Sequence, residues 1–126
     1  MLTTLLNVAI GGALGASARY LSGVGLMRLV GAQAFPVGII TVNVVGSFLM
    51  GVFVAVAAKK GLTGLNPFIA TGFLGGFTTF SSFSLEAVTL WERGDHALAA
   101  AYVLGSVILS LAALLLGLMA ARGLVA

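Results

Sequence analysis

Long apolar runs separated by short polar connections are the main pattern of this chain. Four runs carry no charged residue, and each reaches the roughly 18 residues that mark a candidate membrane-spanning helix: residues 1–18, 29–58, 61–85 and 97–121. The pattern predicts an all-α membrane protein, with four transmembrane helices in a single domain over residues 1–126. We expect these helices at Leu2–Tyr20, Val37–Ala58, Asn66–Trp91 and Ala97–Met119.

Proline positions and the composition of the first run refine the predicted helix ends. Proline is accepted in the first turn of a helix, so Pro36 and Pro67 suit the starts of the second and third helices. The longest connection is then expected at Gly25–Pro36. Residues 1–18 lack a basic leading region and a convincing cleavage site, so we expect a retained span and not a removed signal peptide.

Composition supports a membrane protein and excludes several other classes. Of the 126 residues, 60% are hydrophobic and only 7% are charged, whereas a soluble domain carries about a quarter charged residues. The mean hydropathy is +1.20 and the formal net charge is +3. The six lysines and arginines are scattered, so no basic patch follows a nucleic-acid backbone and we expect no nucleic-acid partner. Because the chain has no cysteine, it has no disulfide framework and no thiolate nucleophile.

The basic residues are balanced between the two sides of the predicted four-helix arrangement. One side would hold Lys59, Lys60 and Arg122, and the other would hold Arg19, Arg28 and Arg93. This balance gives no orientation by the positive-inside rule, and no basic residue is expected at the midplane. Two interpretations are open: a chance balance in a small sample, or dual topology, in which oppositely inserted copies pair as an antiparallel dimer.

The third apolar run contains an unusual stretch, Thr71–Ser84, that mixes glycine, phenylalanine and hydroxyl residues. Adjacent Gly75 and Gly76 weaken a helix by about 1 kcal/mol each relative to alanine. In hydrocarbon, the backbone groups freed by a break are tolerated only where protein, water or an ion satisfies them. We therefore predict a third helix broken near its middle, at Gly75–Gly76, with an ion site beside the break.

Polar side chains inside the predicted spans are the candidate ion contacts. Asn43 is the most polar residue well inside the second helix. Its side chain either hydrogen-bonds a neighbouring helix or donates to an ion. On the fourth helix, Tyr102, Ser106 and Ser110 recur every four residues and share one stripe. Two interpretations of that stripe stay open: a chance spacing, or a polar track whose hydroxyls pass an anion without trapping it.

Phe77, Phe80 and Phe83 recur every three residues on the third helix. Such a stripe is ordinarily a packing surface, but the edges of phenylalanine rings are electropositive and suit contact with a small anion. The rings alternate with hydroxyl residues such as Thr79, and this mixture favours a pore lining over a lipid-facing surface.

Three ionisable residues near the predicted membrane interfaces are expected to have no direct contact with an ion in the membrane. Arg19 closes the first helix and is expected to extend to lipid headgroups, or to concentrate anions at a vestibule. Glu86 is expected to be a charge at the rim of the vestibule. His96 is expected in a loop, without a partner at metal-ligand spacing.

Three stretches of this chain resemble the Fluc (CrcB) family of bacterial fluoride channels, and the resemblance covers essentially the whole chain. The third stretch is the most distinctive, and its one departure is Ser82, where threonine is common. The stretches are Gly11–Tyr20, Thr41–Gly46 and Gly72–Ser84.

The resemblance implies a passive, fluoride-selective channel that exports cytoplasmic fluoride down its electrochemical gradient and lowers fluoride toxicity. It implies an antiparallel, dual-topology homodimer in the lipid bilayer of the bacterial inner membrane. It further implies a structural Na⁺, held by the backbone carbonyls of Gly75 and Thr78 from both subunits, and no organic cofactor. The predicted fluoride contacts are Asn43, Thr79, Phe80, Phe83, Tyr102, Ser106 and Ser110.

Other functional classes fit these residues less well. A small proton-coupled multidrug antiporter also has four helices, but it needs a carboxylate buried in the membrane. The first, second and fourth predicted spans contain no Asp or Glu, and Glu86 lies near an edge. An accessory subunit without transport would not need so polar a third helix. An enzyme is the least supported class, since no nucleophile–base pair or metal-ligand cluster is visible.

Overall fold

Helices account for almost all of the computed structural model, which describes residues 1–126 and contains no β-strand. Two long helices open the chain, α1 (Leu2–Val30) and α2 (Val37–Lys60). A 3-10 turn (Thr63–Leu65), a π-helical segment (Pro67–Leu74) and the short helix α3 (Gly75–Phe77) follow. After a two-residue break, α4 (Phe80–Glu92) and α5 (His96–Val125) complete the fold.

Three helical segments are long and apolar enough to cross a membrane: Val37–Lys60, Thr63–Glu92 and His96–Val125. The second of them contains the break and the two half-helices that flank it, residues 67–77 and α4. The prediction of an all-helical membrane protein is therefore confirmed. A fourth span depends on α1, which at 29 residues is longer than the roughly 20 that a bilayer requires.

Two predicted helix ends are wrong. α1 continues past Tyr20 to Val30, so the predicted loop at Gly25–Pro36 shrinks to residues 31–36. α5 likewise continues past the predicted end to Val125. Hydropathy marks where a helix leaves lipid, but a helix continues into water until the backbone changes conformation. In α1 that change comes at Gly31, whose φ is 73°.

Close backbone contacts through glycine join the helices in two main pairs, α1 with residues 67–77 and α2 with α5. A Cβ atom added at Gly15 on α1 would overlap the carbonyl oxygen of Phe73, and one at Gly51 on α2 would overlap that of Leu114. Small residues allow such an approach, and helix association in lipid depends on the packing it permits. The first pair lays α1 along the half of the third span that precedes the break.

A small aromatic core connects α4 to α5 and to the loop at residues 31–36. Its buried members are Phe83, Leu90, Ala99 and Tyr102, and Phe35 from the loop packs against them. Tyr102 has no exposed surface. This core fixes the position of α4, and with it the far end of the break, relative to α5.

Matched alanine substitutions on α1 test the glycine contact. Gly15→Ala should lower the free energy of unfolding by about 1–3 kcal/mol, because the new methyl group forces α1 away from Phe73. Gly25→Ala, in open space on the same helix, should be neutral or stabilise by up to about 1 kcal/mol. Thermal unfolding in detergent measures the difference, and equal melting temperatures would contradict the packing described.

Candidate functional site

The third span is interrupted at Thr78 and Thr79, whose backbones are extended. Thr78 has φ −87° and ψ 158°, and Thr79 has φ −153° and ψ 116°. Gly75 remains helical, at φ −63° and ψ −36°. A break near the middle of the helix is therefore present, but its predicted position at Gly75–Gly76 is wrong. Glycine lowers the cost of leaving a helix, whereas the position of the break depends on the partners that the extended residues find.

Asn43 of α2 holds the extended backbone at the break. Its Oδ1 accepts a hydrogen bond from the Thr79 N–H at 2.8 Å, and its Nδ2 donates to the Thr79 carbonyl at 3.1 Å. A side-chain amide carries both a donor and an acceptor, so it pairs with an extended residue as a neighbouring strand would. Asn43 thus makes the interhelical contact that one interpretation expected, and its role as an ion contact stays a prediction.

Thr79 also caps the start of α4. Its Oγ1 accepts a hydrogen bond from the Ser82 N–H at 3.2 Å and lies 3.3 Å from Ser81 Oγ. A threonine at this position satisfies one of the four N–H groups that the start of a helix leaves without a partner. The second half of the span therefore starts at a defined residue inside an apolar segment.

Two carbonyl oxygens at the break, those of Gly75 and Thr78, lack their usual helical donors. In an α-helix each carbonyl accepts from the N–H four residues later. Those N–H groups belong to Thr79 and Ser82, and both donate to side chains instead. The two oxygens therefore retain the capacity to bind a ligand, and carbonyl oxygen is a ligand that hard cations prefer.

Arg19 of α1 bonds a third carbonyl at the break. Its Nε donates to the Gly76 carbonyl at 3.1 Å, and its side chain is half-buried. Gly76 lies near the middle of the span Thr63–Glu92. Arg19 is therefore bonded to the third span and does not extend freely to lipid headgroups as predicted. The expectation that no basic residue lies at the midplane stays a prediction. The guanidinium group finds a fixed acceptor at the break, and hydrogen bonds from charged donors are the stronger ones.

A groove of about 380 Å³ lies between α2, the break and α5. No charged side chain lines it, and six of the seven predicted fluoride contacts do. Those six are Asn43, Thr79, Phe80, Phe83, Ser106 and Ser110. The tertiary structure thus brings together neutral polar groups and aromatic rings from three separate segments of the chain.

The phenylalanine rings before and after the break lie in different environments. Phe80 and Phe83 line the groove with ring centroids 5.4 Å apart, and Phe80 is 76% exposed. Phe77 is buried and stacks on Phe73, with centroids 6.0 Å apart. The predicted continuous stripe of three rings is therefore wrong, because the extended residues 78–79 turn the chain between Phe77 and Phe80.

The predicted hydroxyl stripe on α5 has two environments. Ser106 Oγ is buried without a hydrogen-bond partner and lines the groove, as does Ser110. Tyr102 is fully buried and does not line the groove; its ring lies 5.3 Å from that of Phe83, between centroids. Its Oη donates to Glu86 Oε2 at 2.9 Å. Two of the three residues therefore line the groove and the third binds a carboxylate, so the polar track stays a prediction.

A second cavity, of about 420 Å³, lies between α1, the loop at residues 31–36 and α4. We call it the vestibule, and both predicted vestibule residues, Arg19 and Glu86, line it together with Arg93 and Phe35. Glu86 is half-buried and bonded to Tyr102, so it is more than a charge at the rim. Sequence reasoning missed Phe35, whose ring meets Tyr102 edge-on at 5.5 Å between centroids. No local pattern marks it, because the path of its loop depends on helix packing.

His96 is the first residue of α5, so the prediction that it lies in a loop is wrong. Its ring stacks on that of Trp91, with centroids 4.0 Å apart. Neither residue lines the groove or the vestibule. The aromatic contact is therefore part of the connection between α4 and α5.

Comparison with known proteins gives one consistent family. Residues 6–118 match the family model described as CrcB-like protein, Camphor Resistance (CrcB). The chain is 65% identical over 123 residues to a protein of Ruegeria sp. (strain TM1040) and 67% identical over 123 residues to one of Cereibacter sphaeroides (strain ATCC 17029 / ATH 2.4.9), with 98% of both chains covered in each case. A protein of Agrobacterium fabrum (strain C58 / ATCC 33970) is 51% identical over 119 residues, which cover 93% of this chain and 94% of that protein. All three relatives carry the name fluoride-specific ion channel FluC.

Substitution of Asn43 tests whether its amide holds the break. Asn43→Leu keeps the approximate size of the side chain but leaves the Thr79 N–H and carbonyl unpaired, at a cost of about 1–3 kcal/mol for each group. Thr41→Val on the same helix removes only a hydrogen bond to the Val37 carbonyl, and it should cost about 1 kcal/mol or less. Unfolding in detergent compares the variants; equal losses would show that Asn43 does not hold the break.

Proposed function

This chain belongs to the CrcB-like protein family, and we propose that it is a fluoride-specific ion channel through which cytoplasmic fluoride leaves a bacterial cell passively. The observation that carries the proposal is 65% and 67% identity, over 98% of each chain, to proteins named as fluoride-specific channels. The protein is a multi-pass membrane channel and not an enzyme. Export of fluoride down its electrochemical gradient would lower fluoride toxicity without an energy source.

The lining of the groove suits a fluoride ion. Moving a bare ion into a medium of low dielectric constant costs tens of kcal/mol, so other donors must replace its water along the path. Amide groups, hydroxyl groups and the electropositive edges of Phe80 and Phe83 supply such contacts. None of them carries a fixed charge that would hold the anion too tightly for release.

The proposed contacts come from three segments of the chain. Asn43 Nδ2 has two hydrogens, and one remains after its bond to the Thr79 carbonyl. Ser106 lines the groove, and its buried Oγ has no hydrogen-bond partner within the chain; a rotation of its hydroxyl-bearing side chain toward the groove would let it donate to an anion. The full proposed set is Asn43, Thr79, Phe80, Phe83, Ser106 and Ser110 at the groove, with Tyr102 on the same stripe of α5.

A second copy in the opposite orientation would complete the pathway. In the single chain the ring of Phe80 is 76% exposed, and Gly75 beside the break is exposed as well. A partner that covers this face would close the open side of the groove. We propose an antiparallel homodimer with two pathways, in which α1 of each copy is the fourth transmembrane helix.

The distribution of charge is compatible with insertion in both orientations. With α1 as a transmembrane helix and Arg19 bonded to Gly76, five basic residues would remain outside the membrane. Lys59, Lys60 and Arg122 would lie on one side, with Arg28 and Arg93 on the other. A difference of one basic residue is too small to fix a single orientation by the positive-inside rule.

The same dimer would hold a structural Na⁺. The Gly75 and Thr78 carbonyls have lost their helical donors, and two copies related by a two-fold axis would bring four such oxygens together. Freed carbonyls in hydrocarbon need a partner, and a hard cation takes oxygen ligands. The ion would supply a positive charge that joins the two copies at their broken helices.

Fluoride efflux from liposomes that contain only this protein tests the proposed function. A fluoride gradient should collapse and a chloride gradient should persist; an intact fluoride gradient would overturn the proposal.

Phe80→Ile and Phe83→Ile should each slow efflux by about tenfold or more in an assembled dimer, because an aliphatic side chain has no electropositive edge. Phe53→Ile, outside the groove on α2, should conduct normally. Normal efflux in the first two variants would remove the rings from the pathway.

Labelling from each membrane face tests dual topology. The chain has no cysteine, so Leu62→Cys, in an exposed turn after α2, introduces a single thiol and leaves the charge balance intact. An impermeant thiol reagent should label about half of the copies from each face, because the weak charge bias sets no orientation. Labelling of permeabilised membranes gives the total number of reactive thiols. Labelling from one face only would rule out dual topology.

A further inference from the structure

Arg19 is the only charged side chain that donates a hydrogen bond to the backbone at the break. Its Nε reaches the carbonyl oxygen of Gly76, 57 residues later in the chain, at 3.1 Å. Ionisable side chains within a membrane-spanning segment are costly and are usually retained for function. A vestibule charge would not need this bond, since a guanidinium group free in the cavity attracts anions equally well.

The approach of α1 to the third span places Arg19 at this carbonyl. A Cβ atom added at Gly76 would lie 2.6 Å from the carbonyl oxygen of Gly12 and 3.1 Å from the backbone nitrogen of Ala16. Gly12, Ala16 and Arg19 follow one another at helical spacing and share one face of α1. The face of α1 that contacts Gly76 through its backbone therefore also carries the side chain that bonds the Gly76 carbonyl.

The carbonyl that Arg19 bonds belongs to a residue between the two whose carbonyls are proposed to bind sodium. Gly76 stands between Gly75 and Thr78 in the chain, and Asn43 holds the residue that follows Thr78. Two side chains from two helices thus hold the backbone at the break. Arg19 bonds Gly76, before the extended residues, and Asn43 bonds the extended residue Thr79. Neither side chain donates to the carbonyls of Gly75 or Thr78, which remain free for a ligand.

We propose that Arg19 is a positioning residue for the sodium site: it holds the Gly76 carbonyl so that the neighbouring carbonyls keep the geometry that binds Na⁺. This inference rests on the proposed function, and in particular on the proposed sodium site. Without the bond, the turn would sample other conformations, and the apparent dissociation constant for Na⁺ would rise as the competent fraction falls.

The charge of Arg19 acts in the opposite direction to its positioning role. A guanidinium cation near the site repels Na⁺, so removal of the charge would tighten sodium binding if charge were its only effect. Arg19→Gln removes the charge, whereas Arg19→Lys keeps a charge but lacks the planar, fixed donor geometry of arginine. The positioning role requires that both variants bind Na⁺ more weakly.

The test measures fluoride efflux as a function of added Na⁺. The full-length protein and its variants are purified and reconstituted in N-methylglucamine salts, and NaCl is then added. Arg19→Lys and Arg19→Gln should raise the half-activating Na⁺ concentration by about tenfold, as expected for the loss of a charge-assisted hydrogen bond. Saturating Na⁺ should restore their efflux. Arg28→Gln, an exposed charge change on the same helix, should leave the half-activating concentration unchanged.

The remaining outcomes overturn the inference in separate ways. A lower half-activating concentration in Arg19→Gln, with Arg19→Lys unchanged, would show that Arg19 acts only through its charge. Loss of efflux at every Na⁺ concentration, or of the folded dimer on size-exclusion chromatography, would show a general structural role. If the protein without substitutions conducts fluoride in the absence of Na⁺, the proposal of a sodium site is wrong, and this inference is wrong with it. If it conducts no fluoride, the proposed function itself fails.

Discussion

An interrupted helix in a membrane exposes backbone groups that hydrocarbon does not satisfy, and the rest of this structure depends on how they are paired. Asn43 takes both backbone groups of Thr79, and Arg19 takes the Gly76 carbonyl. The carbonyls of Gly75 and Thr78 keep free capacity. Pairing within the chain therefore fixes the shape of the break, and it leaves two carbonyl oxygens at the break without a donor.

Glycine contacts between helices make that pairing possible. Asn43 is on α2 and Arg19 is on α1, so each reaches the break only because glycines let its helix pack closely against the third span. Gly12 and Gly15 of α1 lie directly against the half-helix at residues 67–77, and Gly46 of α2 lies against the side chain of Thr78 at the break. In lipid, where apolar burial drives association weakly, this packing is what holds the polar side chains in register with the break.

The structure separates neutral from charged surfaces along the way to the break. The groove contains hydroxyl, amide and aromatic groups but no charged side chain, whereas the vestibule contains Arg19, Glu86 and Arg93. Tyr102 connects the two, since its hydroxyl binds Glu86 and its ring contacts Phe83. The two cavities therefore differ in charge, and the groove beside the break is the neutral one.

Hydropathy and helical spacing determined much of this protein from sequence: the helical membrane class, three spans, the existence of a break and six of the residues that line the groove. These are local properties, because a bilayer selects for apolar length and a helix for a fixed period. The tertiary structure decided where the helix breaks, which backbone groups Asn43 and Arg19 bind, and where Phe35 lies. The three bonds that Asn43 and Arg19 make at the break join residues 36 or 57 positions apart, and only the packing of separate helices brings such residues within hydrogen-bonding distance.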